Sequence, residues 1–192
     1  MSRQFWYECL TWAVASGTAI ASSTTETILF PNVTIPANYM QDGRALELKS
    51  TGAYGTTSTP TLIFSLRWGG VSGTVLAKSS TVTTTSATGG GASMTALWNS
   101  WMYIQTRSNG SSGTLFVNGE ATLHTSSAAT AGTVTNYGMP LPIASGSTGG
   151  TTPVAVTVDL TSDTALSFTA IWGTNASANS IQGNHYYLES KN

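Results

Sequence analysis

Leu62, Phe64, Leu66 and Trp68 are spaced by two, with Thr61, Ser65 and Arg67 between them. That period marks a strand with one buried face. The same period recurs where Leu46 and Leu48 alternate with Glu47 and Lys49, and where Trp101, Tyr103 and Gln105 alternate with Met102, Ile104 and Thr106. It returns at Val154, Val156 and Val158, at Leu166, Phe168, Ala170 and Trp172, and over His185–Glu189. Residues 26–30 are rich in β-formers, and Pro31 and Pro36 then punctuate an extended link. Gln41-Asp42-Gly43, Gly69-Gly70 and Ser108-Asn109-Gly110 are turn signals. Asn118-Gly119 is taken as a second tight turn, between a strand holding Leu115 and Val117 and a return through 121–124.

This predicts eight to ten short strands and no run with a helical period, the pattern of an antiparallel sandwich or barrel. No repeat of 20–50 residues is visible, which argues against a solenoid or propeller. Residues 79–93 are almost all Ser, Thr, Ala and Gly, and read as a polar strand running into a flexible loop that ends at Gly89-Gly90-Gly91. Residues 125–152 form a long stretch of low charge with Pro140 and Pro142. The length favours a jelly-roll-like β-sandwich with an extended N-terminal arm. Residues 1–23 are assigned as the arm or first strand, and 24–192 as the sandwich domain.

Composition narrows the class. A chain of 192 residues buries ~70% of its unfolded surface and needs no disulfide or metal to fold. Ser (25) and Thr (33) suit turns and pleated strands. Only 8% of residues are charged and the net charge is −1, far below the usual ~25%. No basic block offers itself to nucleic acid and no acidic run suggests a disordered tail. A neutral, hydroxyl-rich surface fits a subunit covered by neighbours, although secreted or adhesive β-proteins look similar. The single cysteine, Cys9, has no internal partner and reads as a small apolar residue.

Residues 10–21 resemble a signal peptide in their apolar content. Glu8 and the aromatic run Phe5, Trp6 and Tyr7 occupy positions where such a peptide is basic, so cleavage is not expected. No stretch approaches the ~20 apolar residues of a membrane-spanning helix. The arm is expected to be ordered from Met1. Ordering twelve residues costs about 18 kcal/mol, and burying the rings of Phe5, Trp6, Tyr7 and Trp12 returns about 20 kcal/mol. An ordered arm therefore requires those rings to be buried on the body or on a neighbour. They are the candidate partner contacts.

Catalytic constellations are absent from the sequence. His124 and His185 are far apart and have no acidic or cysteine partner at ligand spacing. Asp159 and Asp163 are spaced as half of a calcium site, but turn hydrogen bonding is the better reading. There is no nucleophile elbow, and Gly89-Gly90-Gly91 lacks the lysine and following helix of a phosphate loop. The eight acids are scattered, which weighs against a paired-carboxylate hydrolase. The aromatic residues are numerous enough for a sugar-stacking platform, but Trp68, Trp101 and Trp172 each continue an alternating face and are assigned to the core. Sequons at Asn32, Asn109 and Asn175 carry meaning only in a eukaryotic secretory setting. No enzyme activity, cofactor or metal is expected.

Residues 26–189 resemble a group of tailed-bacteriophage virion proteins. The carrying segments are Glu26-Thr27-Ile28-Leu29-Phe30, Ile35-Pro36-Ala37-Asn38-Tyr39, Leu62 to Gly70 with its Trp-Gly-Gly end, and Leu166 to Trp172. The resemblance implies a jelly-roll-like subunit of the particle, a head decoration (cement) protein or a minor head or tail component. It implies a homotrimer bound to the major capsid protein, located in the virion after assembly in the host cytoplasm, with neither nucleic acid nor membrane as partner. The alternative is a receptor- or glycan-binding β-module on a tail or fibre, which predicts at least two aromatics on an exposed face.

Overall fold

The computed structural model describes residues 7–56, 59–84, 94–124, 138–149 and 152–191, and of Tyr7 the backbone only. All regular structure in them is β, in fourteen strands. These are β1 (Tyr7–Trp12), β2 (Ile20–Ala21), β3 (Thr27–Ile28), β4 (Val33–Ile35), β5 (Ala45–Gly55), β6 (Thr61–Trp68), β7 (Thr74–Ser79), β8 (Val82–Thr83), β9 (Ala96–Ser108), β10 (Gly113–His124), β11 (Gly138–Ser145), β12 (Val156–Val158), β13 (Thr164–Trp172) and β14 (Ser180–Lys191). Every pairing is antiparallel.

The order along the ladder is β1-β14-β5-β9-β10-β11-β7-β6-β13-β3, with short β2, β4, β8 and β12 attached to β14, β13, β6 and β10. Two layers result. One is β1-β14-β5-β9-β10, the other β11-β7-β6-β13-β3, and hydrogen bonding continues through β10, β11 and β7. The inward positions of the two layers meet in one core: Leu46, Leu48, Met102, Ile104 and Leu188 from the first, Leu62, Phe64, Leu66, Phe168 and Trp172 from the second. At its centre Trp98 of β9 packs on Phe64 of β6 (ring centroids 5.4 Å apart) and Phe168 of β13 (6.1 Å). Such tilted and edge-on pairs suit the ring quadrupoles.

Room for these rings comes from glycine. Gly183, Gly52 and Trp98 lie in one inward row across β14, β5 and β9. A Cβ on Gly52 would stand 2.5 Å from the Trp98 indole, and one on Gly183 2.3 Å from the Phe30 ring. Trp98 and Phe30 therefore lie over bare backbone. The Trp98 N–H donates to the Gln182 carbonyl at 3.1 Å, so its polar atom is satisfied in the core.

The fourteen strands exceed the eight to ten expected, and three features of individual strands also depart from expectation. β10 runs unbroken through Asn118-Gly119, with Asn118 opposite Tyr103 and Gly119 opposite Met102. Gly119 serves close approach rather than a turn, since a Cβ there would stand 2.3 Å from the Trp101 carbonyl oxygen. The 108–110 turn does form, with Gly110 at φ +99° and the Gly113 amide bonded to its carbonyl at 3.0 Å. Second, part of the 125–152 stretch is β11, despite its prolines. β7 pairs β11 only over Ile143–Ser145, so the missing N–H groups of Pro140 and Pro142 cost no bond on that side. Third, β14 carries a bulge between Gly183 and His185. Of the polar stretch 79–93, residues 85–93 lie outside the described residues.

At the N-terminus, β1 is paired with β14 from Tyr7 opposite Lys191 to Trp12 opposite Tyr187. The chain keeps alongside β14 afterwards, the Ala13 and Gly17 amides donating hydrogen bonds to the Tyr186 and Gly183 carbonyls. Within residues 1–23, Tyr7–Trp12 and Ile20–Ala21 are strands hydrogen-bonded to β14. Tyr39 adds a tie from its hydroxyl to the Glu8 carboxylate at 2.7 Å.

Candidate functional site: an aromatic outer face

The outward positions of β1, β14, β5, β9 and β10 form rows across the first layer. One row is Trp12, Tyr187, Lys49, Trp101 and Glu120. The next, toward one end, is Cys9, Glu189, Glu47, Tyr103 and Asn118. In the other direction lies the row His185, Thr51, Asn99 and Thr122. The bulge decides this. Gly183 pairs Gly52 while His185 pairs Thr51, so Asn184 is the extra residue and the following side chains change face. His185 and Tyr187 come outward because of it.

Trp101 is therefore not a core residue. It is 39% exposed and Tyr103 41%, against 6% for Trp68 and 1% for Trp172, which are in the core as expected. The reason is parity. β9 is apolar on both faces, and the aliphatic positions Met102 and Ile104, together with Trp98, take the core. Trp101 and Tyr103 meet edge to face with centroids 5.9 Å apart. His185 and Tyr187 do the same at 6.1 Å. Two shallow clefts flank the Trp101–Tyr103 pair. One, of about 300 Å³, is bounded by Lys49, Thr51, Asn99, Trp101, His185 and Tyr187. The other, of about 420 Å³, lies between Tyr103 and Phe116, where the Arg107 guanidinium stacks 3.9 Å from the Phe116 ring.

Two lysines on this face share one buried carboxylate. Glu47, expected to point to solvent, is 3% exposed beneath Lys49 and Lys191, both of which pair with it. Burial pushes its carboxyl up, but the hydrogen bonds from Lys191 and Lys49 outweigh that and hold it below its ordinary value. The hydrogen bond to Glu47 and a second to Tyr187 hold the Lys49 ammonium above its own. On the second layer, Arg67 forms a bidentate pair with Glu26, two bonds of 2.6 Å, and Thr169 donates to the same carboxylate.

The expected partner contacts come out unevenly. Phe5 and Trp6 lie outside the described residues, as does the side chain of Tyr7. Trp12 is 61% exposed, so its own subunit does not supply the burial assumed for it. β1 is held by backbone pairing with β14 instead. Cys9 is exposed, with its thiol 3.6 Å from the Thr11 carbonyl. Asp159 accepts from the amide and hydroxyl of Thr161 and from Ser162, a turn-closing role, while Asp163 accepts from the Ala37 amide. Among the described residues no group of three His, Cys, Asp or Glu is placed to hold a metal ion. Sequence reasoning missed Tyr187, His185, Lys49 and Asn99 as one cluster. Its only signal was the Trp101/Tyr103 alternation, with Asn99 and Gln105 on the same parity.

No family model matches the chain, and no curated protein or solved structure matches it either.

Proposed function

We propose that this chain is a structural protein of a tailed-bacteriophage virion. It decorates the capsid as a jelly-roll-like subunit, a homotrimer, bound across neighbouring copies of the major capsid protein. The observation that carries this reading is Trp12, a large apolar ring 61% exposed on edge strand β1, followed by Val14 at 91%. Isolated apolar side chains are ordinary on surfaces. A tryptophan on a strand that is paired on one side only among the described residues, within a nearly uncharged surface, is suited to burial by a neighbouring subunit. The adjoining Phe5, Trp6 and Tyr7 extend the apolar run in sequence. A second reading, a receptor- or glycan-binding module on a tail or fibre, is favoured by the exposed Trp101 and Tyr103.

The test is incorporation into particles of the virus that encodes the chain. Mass spectrometry of purified virions is expected to detect it. A variant with Phe5, Trp6 and Trp12 changed to Ser is expected to be lost from particles while keeping its circular dichroism and thermal midpoint. Substitution is preferable to deletion, because removing β1 would bare the edge of β14. Absence of the wild-type chain from purified particles would falsify the reading. Normal incorporation of the triple variant would remove these aromatics from the attachment.

A further inference from the structure

We propose that the cleft over β14, β5 and β9 binds a neutral saccharide chain, stacked on Trp101 and Tyr187 and hydrogen-bonded by Thr51, Asn99 and His185. This deepens the glycan-binding reading by naming its site, and it needs neither placement on the particle to be correct.

Spacing supports it first. Trp101 and Tyr187 share a row and stand on strands two apart, with Lys49 between them. Their backbones are therefore about 9.5 Å apart. A sugar ring in van der Waals contact on both sides takes about 7 Å. Lys49 reaches along β5 to Glu47, 3.0 Å away, with its ammonium 5.7 Å from the Tyr187 ring, so it forms part of the cleft floor beside Thr51. The cleft of about 300 Å³ lies over Thr51, at the small end of ligand pockets.

The mix of groups supports it second. A pyranose presents a C–H face that packs on an aromatic ring and a rim of hydroxyls that need donors and acceptors. The cleft has aromatic walls and a polar row of His185, Thr51 and Asn99, all exposed. Its one lysine is matched by Glu47, so no net charge is left to select an anion. The bulge at Asn184 is an independent observation. An unbulged β14 would not place both Gly183 inward, beneath Phe30, and Tyr187 outward, beside Lys49. Bulges re-aim side chains at sites of this kind. The second cleft, beyond the Trp101–Tyr103 pair, continues the surface and makes a chain, rather than a single ring, the fitting ligand.

The test is calorimetric titration of the full chain with cellohexaose, maltohexaose and a galacto-oligosaccharide, with chondroitin sulfate as an anionic control. Saturable binding of at least one neutral probe is expected. Trp101→Ala should weaken it by roughly tenfold or more, and Asn99→Ala by less. Both variants should keep the thermal midpoint within about 4 °C of wild type and should enter particles normally, which separates this site from the Trp12 attachment. Several results would overturn the proposal. One is the absence of heat and of chemical-shift change with every neutral probe. Another is tighter binding of chondroitin sulfate. A third is binding unaffected by Trp101→Ala. The last is sedimentation showing that Trp101→Ala breaks an oligomer, which would make this face a contact between copies.

Discussion

Trp98 and Trp101 stand three residues apart on β9 and have opposite surroundings. Trp98 is 1% exposed, packs against three other rings and donates its N–H to a buried carbonyl. Trp101 is 39% exposed and meets one ring, that of Tyr103. What separates them is the facing strand as much as their parity. Gly52 lies opposite Trp98, while Lys49 lies opposite Trp101. A ring this large enters a close-packed interior only where its neighbours leave volume for it. On β5 that volume is a missing side chain. The same residue type thus serves cohesion at one position and recognition at the other.

The contrast can be broken at graded cost. Trp98→Ala is expected to lose about 4 kcal/mol, the usual scale for emptying a core aromatic site, read as a large fall in urea midpoint. Gly52→Ala tests the room made for that ring. Its new Cβ would sit 2.0 Å from the Gln182 carbonyl oxygen, and overpacking of this kind costs about 2–3 kcal/mol. If Gly52→Ala unfolds at the wild-type midpoint, the glycine account of Trp98 fails.

Acid titration probes the carboxylates on the two outer faces, and the expected effect is smaller. Glu26 is pushed up by burial, but the Arg67 and Thr169 hydrogen bonds hold it below its ordinary 4.5, and Glu47 is likewise depressed by its lysines. A depressed carboxyl contributes stability that is present above the unfolded value and lost as pH falls through the folded one. The thermal midpoint should therefore be flat from pH 7 to about 5 and drop below about 4. Glu26→Gln should lower the plateau by about 1–2 kcal/mol and reduce the acid slope. An unchanged slope in that variant would remove the Glu26–Arg67 pair from the stability account. The smallest effect on stability is expected from Trp101→Ala, within about 1 kcal/mol of wild type by urea unfolding. A loss as large as that of Trp98→Ala would erase the distinction drawn between the two tryptophans.

How much of this was legible in the sequence depends on which physical signal each element uses. β6 and β13 were readable because a period of two with one polar face is a backbone consequence. β10 was misread at Asn118-Gly119, since a turn dipeptide and a glycine demanded by a neighbouring backbone look alike in one dimension. β11 was hidden by Pro140 and Pro142, whose tolerance depends on how far β7 reaches. On β9, apolar residues at both parities left the inward face undecided, and Trp101 was put on the wrong side. The cluster of Tyr187, His185, Lys49 and Asn99 needed the register of three strands and the bulge at Asn184. No local pattern encodes these. At the N-terminus the aromatic content was plain, but whether it forms an arm or a strand is fixed by pairing with β14, more than 170 residues away.

That last pairing has a kinetic consequence. Tyr7 lies opposite Lys191, so the first and last described residues are neighbours in the ladder. Among the described residues this pairing has the greatest sequence separation. Long-range closure of this kind slows folding. During synthesis on the ribosome β1 is made long before β14, its partner. Because Tyr7 and Lys191 lie side by side, a circular permutant that links the segments beyond them and opens the chain at the Ser108–Gly110 turn should reach the same fold with β1 and β14 adjacent in sequence.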